Sequence, residues 1–296
     1  MTLTTTTVSC PGKVLLTGGY LVLFDYPGLV LSLSSRFYCQ VQDSTLIQIT
    51  SPQFSDPVYN YPFDNIYVQT TVEMCLVFIN HFKHSIPGFT LTLAADNDFY
   101  SQRSDMRQRG LSLCTKDLAS LPKFNSLHCS ISEVHKTGLG SSAAMISSIV
   151  GALLLHFDIC SLDAQGKKWI HNLSQFCHCL AQGKIGSGFD VSSAIYGSHR
   201  YKRFSKQILE PFLEKATKRQ LCSRELAAFI TETEWNNEIL DFSLPPQIEI
   251  LMGDVDSGSN TPKLVSKVLA FCARDETLCN FYFIPDHGSF SFIQEA

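Results

Sequence analysis

Apolar residues at Val68, Val72, Cys75, Leu76 and Ile79 recur every three or four positions across 66–81, the spacing that lines one face of a helix. Upstream, 8–9 and 14–23, interrupted by Pro11-Gly12 and Gly18-Gly19, read as short strands joined by glycine turns, and 28–38 reads as another strand. Segments 46–50 and 89–93 alternate or run apolar over strand lengths, so the first half is β-rich. A strand over 127–134 is expected ahead of a glycine loop, then an apolar helix over 142–157 and a second over 164–182. A helix over 224–238 should stop before Leu244-Pro245-Pro246, which reads as a domain boundary. A strand over 248–252 and a helix over 263–271 should follow it. Residues 95–125 carry Arg103, Arg107, Arg109, Lys116 and Lys123 with little periodicity, and predict a long basic surface loop.

At 296 residues, 45% apolar and 17% charged, the chain is globular in composition and longer than the usual single domain. A net charge of −4 gives no general drive toward nucleic acid or an anionic membrane, so any anion site must be local. No apolar run reaches the roughly 20 residues of a membrane span; the best, 145–157, contains Ser147, Ser148 and His156. A soluble protein with no membrane partner is expected. The start of the chain has neither a basic nor an apolar export segment, and its eleven cysteines are scattered, which predicts reduced thiols and a cytoplasmic location. Cys177-His178-Cys179 lacks the two-residue gap of a structural zinc site and reads as a buried helical face.

Three segments carry candidate chemistry. In Lys136-Thr-Gly-Leu-Gly-Ser-Ser-Ala-Ala144, glycines between strand and helix let several N–H groups point at one spot, where the helix adds unpaired donors and the positive end of its dipole. Lys136 precedes the glycines, so this is not a Walker A loop, and two glycines do not make a dinucleotide fingerprint. Ser141 or Ser142 suits a metal that bridges phosphates; the plain alternative is a glycine turn with a serine N-cap. In Gln182-Gly-Lys-Ile-Gly-Ser-Gly-Phe-Asp190, an acid follows a second glycine turn, where it can orient a phosphoryl acceptor or merely cap a helix. In Ser9-Cys-Pro-Gly-Lys13, a lysine follows a Pro-Gly pair, within reach of a transferring phosphoryl group or simply solvated at a strand edge.

Taken in order, these segments resemble the eukaryotic phosphomevalonate kinase branch of the GHMP kinase family, as does the continuation Tyr196-Gly-Ser-His-Arg-Tyr-Lys-Arg-Phe204. The resemblance implies an α+β GHMP kinase fold, with a complete N-terminal α/β domain over 1–244 and a largely missing C-terminal ferredoxin-like domain over 245–296, unrelated from about 272. It implies ATP-dependent phosphorylation of (R)-5-phosphomevalonate to 5-diphosphomevalonate in isoprenoid and sterol synthesis. Lys136, Gly138, Leu139, Gly140, Ser141, Ser142 and Ala143 would hold the phosphates of ATP, and one of Ser141 and Ser142 would touch Mg²⁺. Lys13 and Asp190 would be catalytic, and Lys184, Ser187, Gly188 and Arg200 would meet the substrate. The stretch around Ser101-Gln102-Arg103 would close over the nucleotide. His135 stands where the family carries proline, and a third glycine-rich motif is absent, which implies weak activity or a nucleotide-binding fragment. The rival is another GHMP activity, such as mevalonate kinase or diphosphomevalonate decarboxylase, which shares the first loop.

Overall fold

The computed structural model describes residues 4–131, 133–253, 261–275, 277 and 279. Its first strand, β1 (Thr5–Thr17), runs antiparallel to the long β2 (Gly28–Asp43). Pro11-Gly12 does not end β1 as expected. Pro11 lies on a strand that pairs along one edge only, where its missing N–H is harmless. The pairing instead slips from Pro11↔Arg36 to Lys13↔Ser32, an irregularity that re-aims Lys13. β3 (Gln48–Thr50) and β4 (Val58–Asn60) follow, then α1 (Ile66–Phe82) and β5 (Phe89–Ala95). β5 pairs with the end of β2 and, in parallel, with β3.

The supposed basic loop holds two short helices, α2 (Arg103–Gln108) and α3 (Thr115–Leu118), held by local i→i−4 bonds. Next come α4 (Ser141–His156), α5 (Ala164–Gln182) and α6 (Phe189–Tyr196), then β6 (His199–Lys202), α7 (Glu210–Thr217), α8 (Ser223–Glu232), β7 (Glu238–Asp241) and α9 (Thr261–Arg274). The sheet order among the described residues is β4-β3-β5-β2-β6-β7, with β1 on the other edge of β2. The chain is therefore α+β.

Burial alternates along β2 at Phe37, Cys39 and Val41 and along β5 at Phe89, Leu91, Leu93 and Ala95, so one sheet face packs against helices. α4 is buried from Ala143 to Leu154, apolar nearly all round as a central helix must be. Gly151 lets it approach β1: a Cβ there would meet Val8 Cγ1 at 3.2 Å. The opposite sheet face, near Val14 and Leu31, carries a shallow cleft of about 290 Å³ closed by Phe242, Leu244, Ile250 and Met252.

Four expected elements differ. Residues 21–24 form a 3-10 turn ended by left-handed Asp25. The described residues of 127–134 form no strand, because Ser130 and Glu133 bond each other through main chain and side chain and compete with a ladder. The helix over 224–238 breaks after Glu232, where Asn236 ties to Ser205, and β7 follows. Residues 248–252 stay irregular; among the described residues no strand pairs with them to take their backbone groups. Of the cysteines, Cys272 and Cys279 are joined as a disulfide, against the expectation of uniformly reduced thiols; the chain brings their Cα atoms to 4.8 Å. No helix among the described residues is long and apolar enough to cross a membrane.

Candidate active site

The loop before α4 is pinned at its entry by segment 98–101. Ser101 N–H donates to His135 O at 2.9 Å, Thr137 N–H to Phe99 O at 3.2 Å, and Tyr100 bridges Lys136. Gly138 and Gly140 then take φ of +83° and +78°, left-handed values that glycine tolerates best. The loop leans on β1, where Lys13 N–H donates to Leu139 O at 2.8 Å. Gly12 permits that approach, since a Cβ there would stand 2.9 Å from the same oxygen.

Gly140, rather than a serine, is the N-cap of α4, and no side chain caps it. The first backbone bond back to the loop is Ala144 N–H to Gly140 O at 3.1 Å. Ser141, Ser142 and Ala143 therefore present N–H groups with no acceptor inside the helix, at the positive end of its dipole. That arrangement fits the phosphates of a nucleotide.

Lys13 crosses the mouth of this cradle. Its Nζ donates to Gly138 O at 3.3 Å and lies 5.4 Å from the Phe189 ring centre. Burial lowers its pKa and the Asp190 carboxylate opposes that shift. Lys136 is exposed overall, yet partial desolvation lowers its pKa as well. Asp190 is the second residue of α6; Gly188 is the N-cap, so Asp190 does not cap the helix. Its Oδ1 accepts from Val191 N–H at 3.0 Å and its side chain keeps 22% of its exposure, which leaves it open to a ligand. Between Asp190 and the loop stands His178: its Nε2 is 3.2 Å from Ser142 Oγ, 3.0 Å from Gln182 Nε2 and 3.8 Å from Asp190 Oδ2.

The second glycine turn is held from beneath. Tyr201 Oη donates to Ser187 O at 2.8 Å, and Arg203, itself buried, donates to Gly186 O at 3.1 Å. Gly188 has φ +87° and no room, with Gln175 Oε1, Phe204 Cε1 and Tyr201 Oη each 2.8 Å from a notional Cβ. Ser187 and Gly188 thus adjoin Asp190, and Lys184 lies exposed just past the C-cap of α5. Arg200 does not join them. It pairs in register with Leu29 and Leu240, on the sheet face opposite His199 and Tyr201, whose side chains meet α6 and its turn. His178, Tyr201 and Arg203 were missing from the expected site residues; Cys177-His178-Cys179 and the Tyr196–Phe204 stretch were the signals that pointed near them.

Among the described residues no group of three or more His, Cys, Asp or Glu side chains gathers to hold a metal. A phosphate-bridging cation would find a serine hydroxyl of the loop and the Asp190 carboxylate as candidate protein oxygens, hard donors that would fit Mg²⁺.

The family described as GHMP kinases N terminal domain matches residues 113–198. The phosphomevalonate kinase of Aspergillus fumigatus is 34% identical over 92% of this chain and 67% of its own length. That of Gibberella zeae is 36% identical over 90% of this chain and 67% of its own. The solved Streptococcus pneumoniae phosphomevalonate kinase in complex with phosphomevalonate and AMPPNP superposes with a TM-score of 0.56 at 19% identity, over 79% of this chain and 57% of that one. This last likeness shows the fold.

Proposed function

The chain belongs to the phosphomevalonate kinase family of GHMP kinases, and from that premise we propose that it transfers the γ-phosphoryl group of ATP to the phosphate of (R)-5-phosphomevalonate, giving 5-diphosphomevalonate for isoprenoid and sterol synthesis in the cytosol. The observation that supports this most is Lys13 lying against the loop, its Nζ on Gly138 O and 5.4 Å from the ring of Phe189, the neighbour of Asp190, beside the unpaired N–H groups of α4. In this reading residues 1–244 are the nucleotide-binding unit and 245 begins a second one.

Gly138 to Ala143 with Lys136 hold the triphosphate, and Ser141 or Ser142 offers a hydroxyl to the cation. Mg²⁺, when bound with ATP, neutralises the charge that builds on the transferred group. Lys13, fixed by Gly138 O, supplies a further positive charge beside that group. The acceptor is a phosphate with a second pKa of about 6, so it is largely ionised at neutral pH and needs little proton removal. Asp190 accordingly orients the acceptor and balances Lys13. Ser187, Gly188 and Lys184 border the acceptor side.

A coupled ATPase assay with 5-phosphomevalonate and mevalonate side by side tests the reading. Turnover with the phosphorylated substrate and not with mevalonate is expected, at a rate below the roughly 1 to 100 per second usual for kinases. Turnover with mevalonate alone would overturn it.

A further inference from the structure

His178 is used by none of the roles above, yet it touches every helix that builds the site. It sits on α5, packs its ring beside Tyr67 of α1 at 6.2 Å, and turns Nε2 to Ser142 of α4 and Asp190 of α6. The residue is buried at 3% exposure. A lone pair on Nε2 has two possible donors, Ser142 Oγ–H at 3.2 Å and Gln182 Nε2–H at 3.0 Å. Asp190 Oδ2, at 3.8 Å, is an acceptor only and too far for a hydrogen bond.

A serine hydroxyl rotates freely unless something takes its hydrogen. When its oxygen lies on a cation, the O–H becomes the stronger donor of the two and must point away from the metal. The acceptor that meets it there is His178. Partners one shell out from a ligand fix its orientation and tune its basicity.

We propose that His178 is a positioning residue: its Nε2 takes the hydrogen of Ser142 Oγ, which turns that oxygen's lone pairs toward the cation in the mouth of the loop. The inference rests on the Mg–ATP reading of the loop and goes beyond it in choosing Ser142 over Ser141. Ser142 and His178 then act as one unit, and Gln182 holds the imidazole when no cation is present.

The test is the affinity of the purified protein for AMPPNP, measured calorimetrically with Mg²⁺ and with EDTA. His178→Phe keeps a ring but no acceptor. It is expected to cut the Mg²⁺-dependent gain in affinity about 10- to 100-fold, with the metal-free affinity within about twofold. His178→Gln, whose amide oxygen can accept, should restore most of the gain. Ser142→Ala carries the same test from the other side and removes a single oxygen. In its background, His178→Gln or His178→Phe should change the gain less than twofold, where independent roles would multiply. A His178→Phe protein that keeps the full gain, or penalties that multiply with those of Ser142→Ala, overturns the inference. Wild-type protein that binds AMPPNP equally with and without Mg²⁺ overturns the reading of the loop itself, and the inference with it.

Discussion

Gly188→Ala is the sharpest probe of how the site is built, because two separate penalties meet at that residue. The first is conformational: φ is +87°, and an L side chain in the left-handed region costs about 1 to 2 kcal/mol. The second is steric. A Cβ would stand 2.8 Å from Gln175 Oε1, from Phe204 Cε1 and from Tyr201 Oη, on three sides at once. All three neighbours are buried, so none swings clear, and overpacking of this kind costs about 1 to 3 kcal/mol. Together about 2 to 5 kcal/mol is expected, a fall in Tm of roughly 5 to 15 °C for a chain of this size. Two other glycines separate the penalties. Gly138→Ala meets the first alone, with φ +83° and nothing within 4 Å. Gly186→Ala meets neither, its nearest contact being Gln182 Oε1 at 3.7 Å. Thermal unfolding of the three variants should therefore rank Gly186→Ala near wild type, Gly138→Ala about 1 to 2 kcal/mol lower, and Gly188→Ala lowest. Because Asp190 is two residues beyond Gly188, kcat should fall in Gly188→Ala even below its new Tm. Equal stability of Gly188→Ala and Gly138→Ala would refute the packing argument.

Three further perturbations test the charges and caps. Lys13→Met should lower kcat about 10²- to 10³-fold. Since burial lowers the Lys13 pKa, the folded state resists its charge, so the variant should keep or gain Tm at pH 7, and a clear loss of Tm would count against the burial argument. Burial also holds His171 at a pKa of about 4. The unfolded chain then takes up its proton first, so stability present above the ordinary 6.5 is lost as pH falls from about 6.5 to about 4. The loss is on the order of 3 kcal/mol; denaturant titrations of His171→Gln across that range should show a flatter slope than wild type. Asn65 caps α1, accepting from Tyr67 N–H at 3.0 Å and Val68 N–H at 3.3 Å. Its replacement by Ala should cost about 1 kcal/mol in chemical denaturation with no change in kcat.

What could be read in the chain and what could not divide along a physical line. α1, α4 and α5 were expected to within about a residue, because each buries a long face whose spacing no short-range bond disturbs. Segment 127–134 had strand-like apolar spacing too. There Leu127, Ile131 and Val134 pack on the core from a loop, while Ser130 and Glu133 settle the backbone locally. The catalytic residues follow the same division. Lys13, the glycine loop and Asp190 stand out as candidates because each belongs to a short glycine-marked segment, and the fold brings Lys13 against that loop and places Asp190 near the start of α6. His178 was weighed against its sequence neighbours Cys177 and Cys179 as a zinc ligand. It faces Ser142 at 3.2 Å and Asp190 at 3.8 Å, which only the packing of three helices brings near it.

Arg200 and Arg203 make the same point at smaller scale. Both are cations close in sequence to the second glycine turn, and either suits a phosphate by charge. Strand parity separates them: His199 and Tyr201 are fully buried toward α6, so Arg200 between them must point the other way. That much was legible, since two large buried residues flanking a charge is the alternation of a half-buried strand. Arg203 lies past the end of β6, where parity no longer applies, and its bond to Gly186 O depends on how the chain turns toward Phe204. Charge and proximity in sequence do not choose between the two arginines; the pleat of one short strand separates their positions.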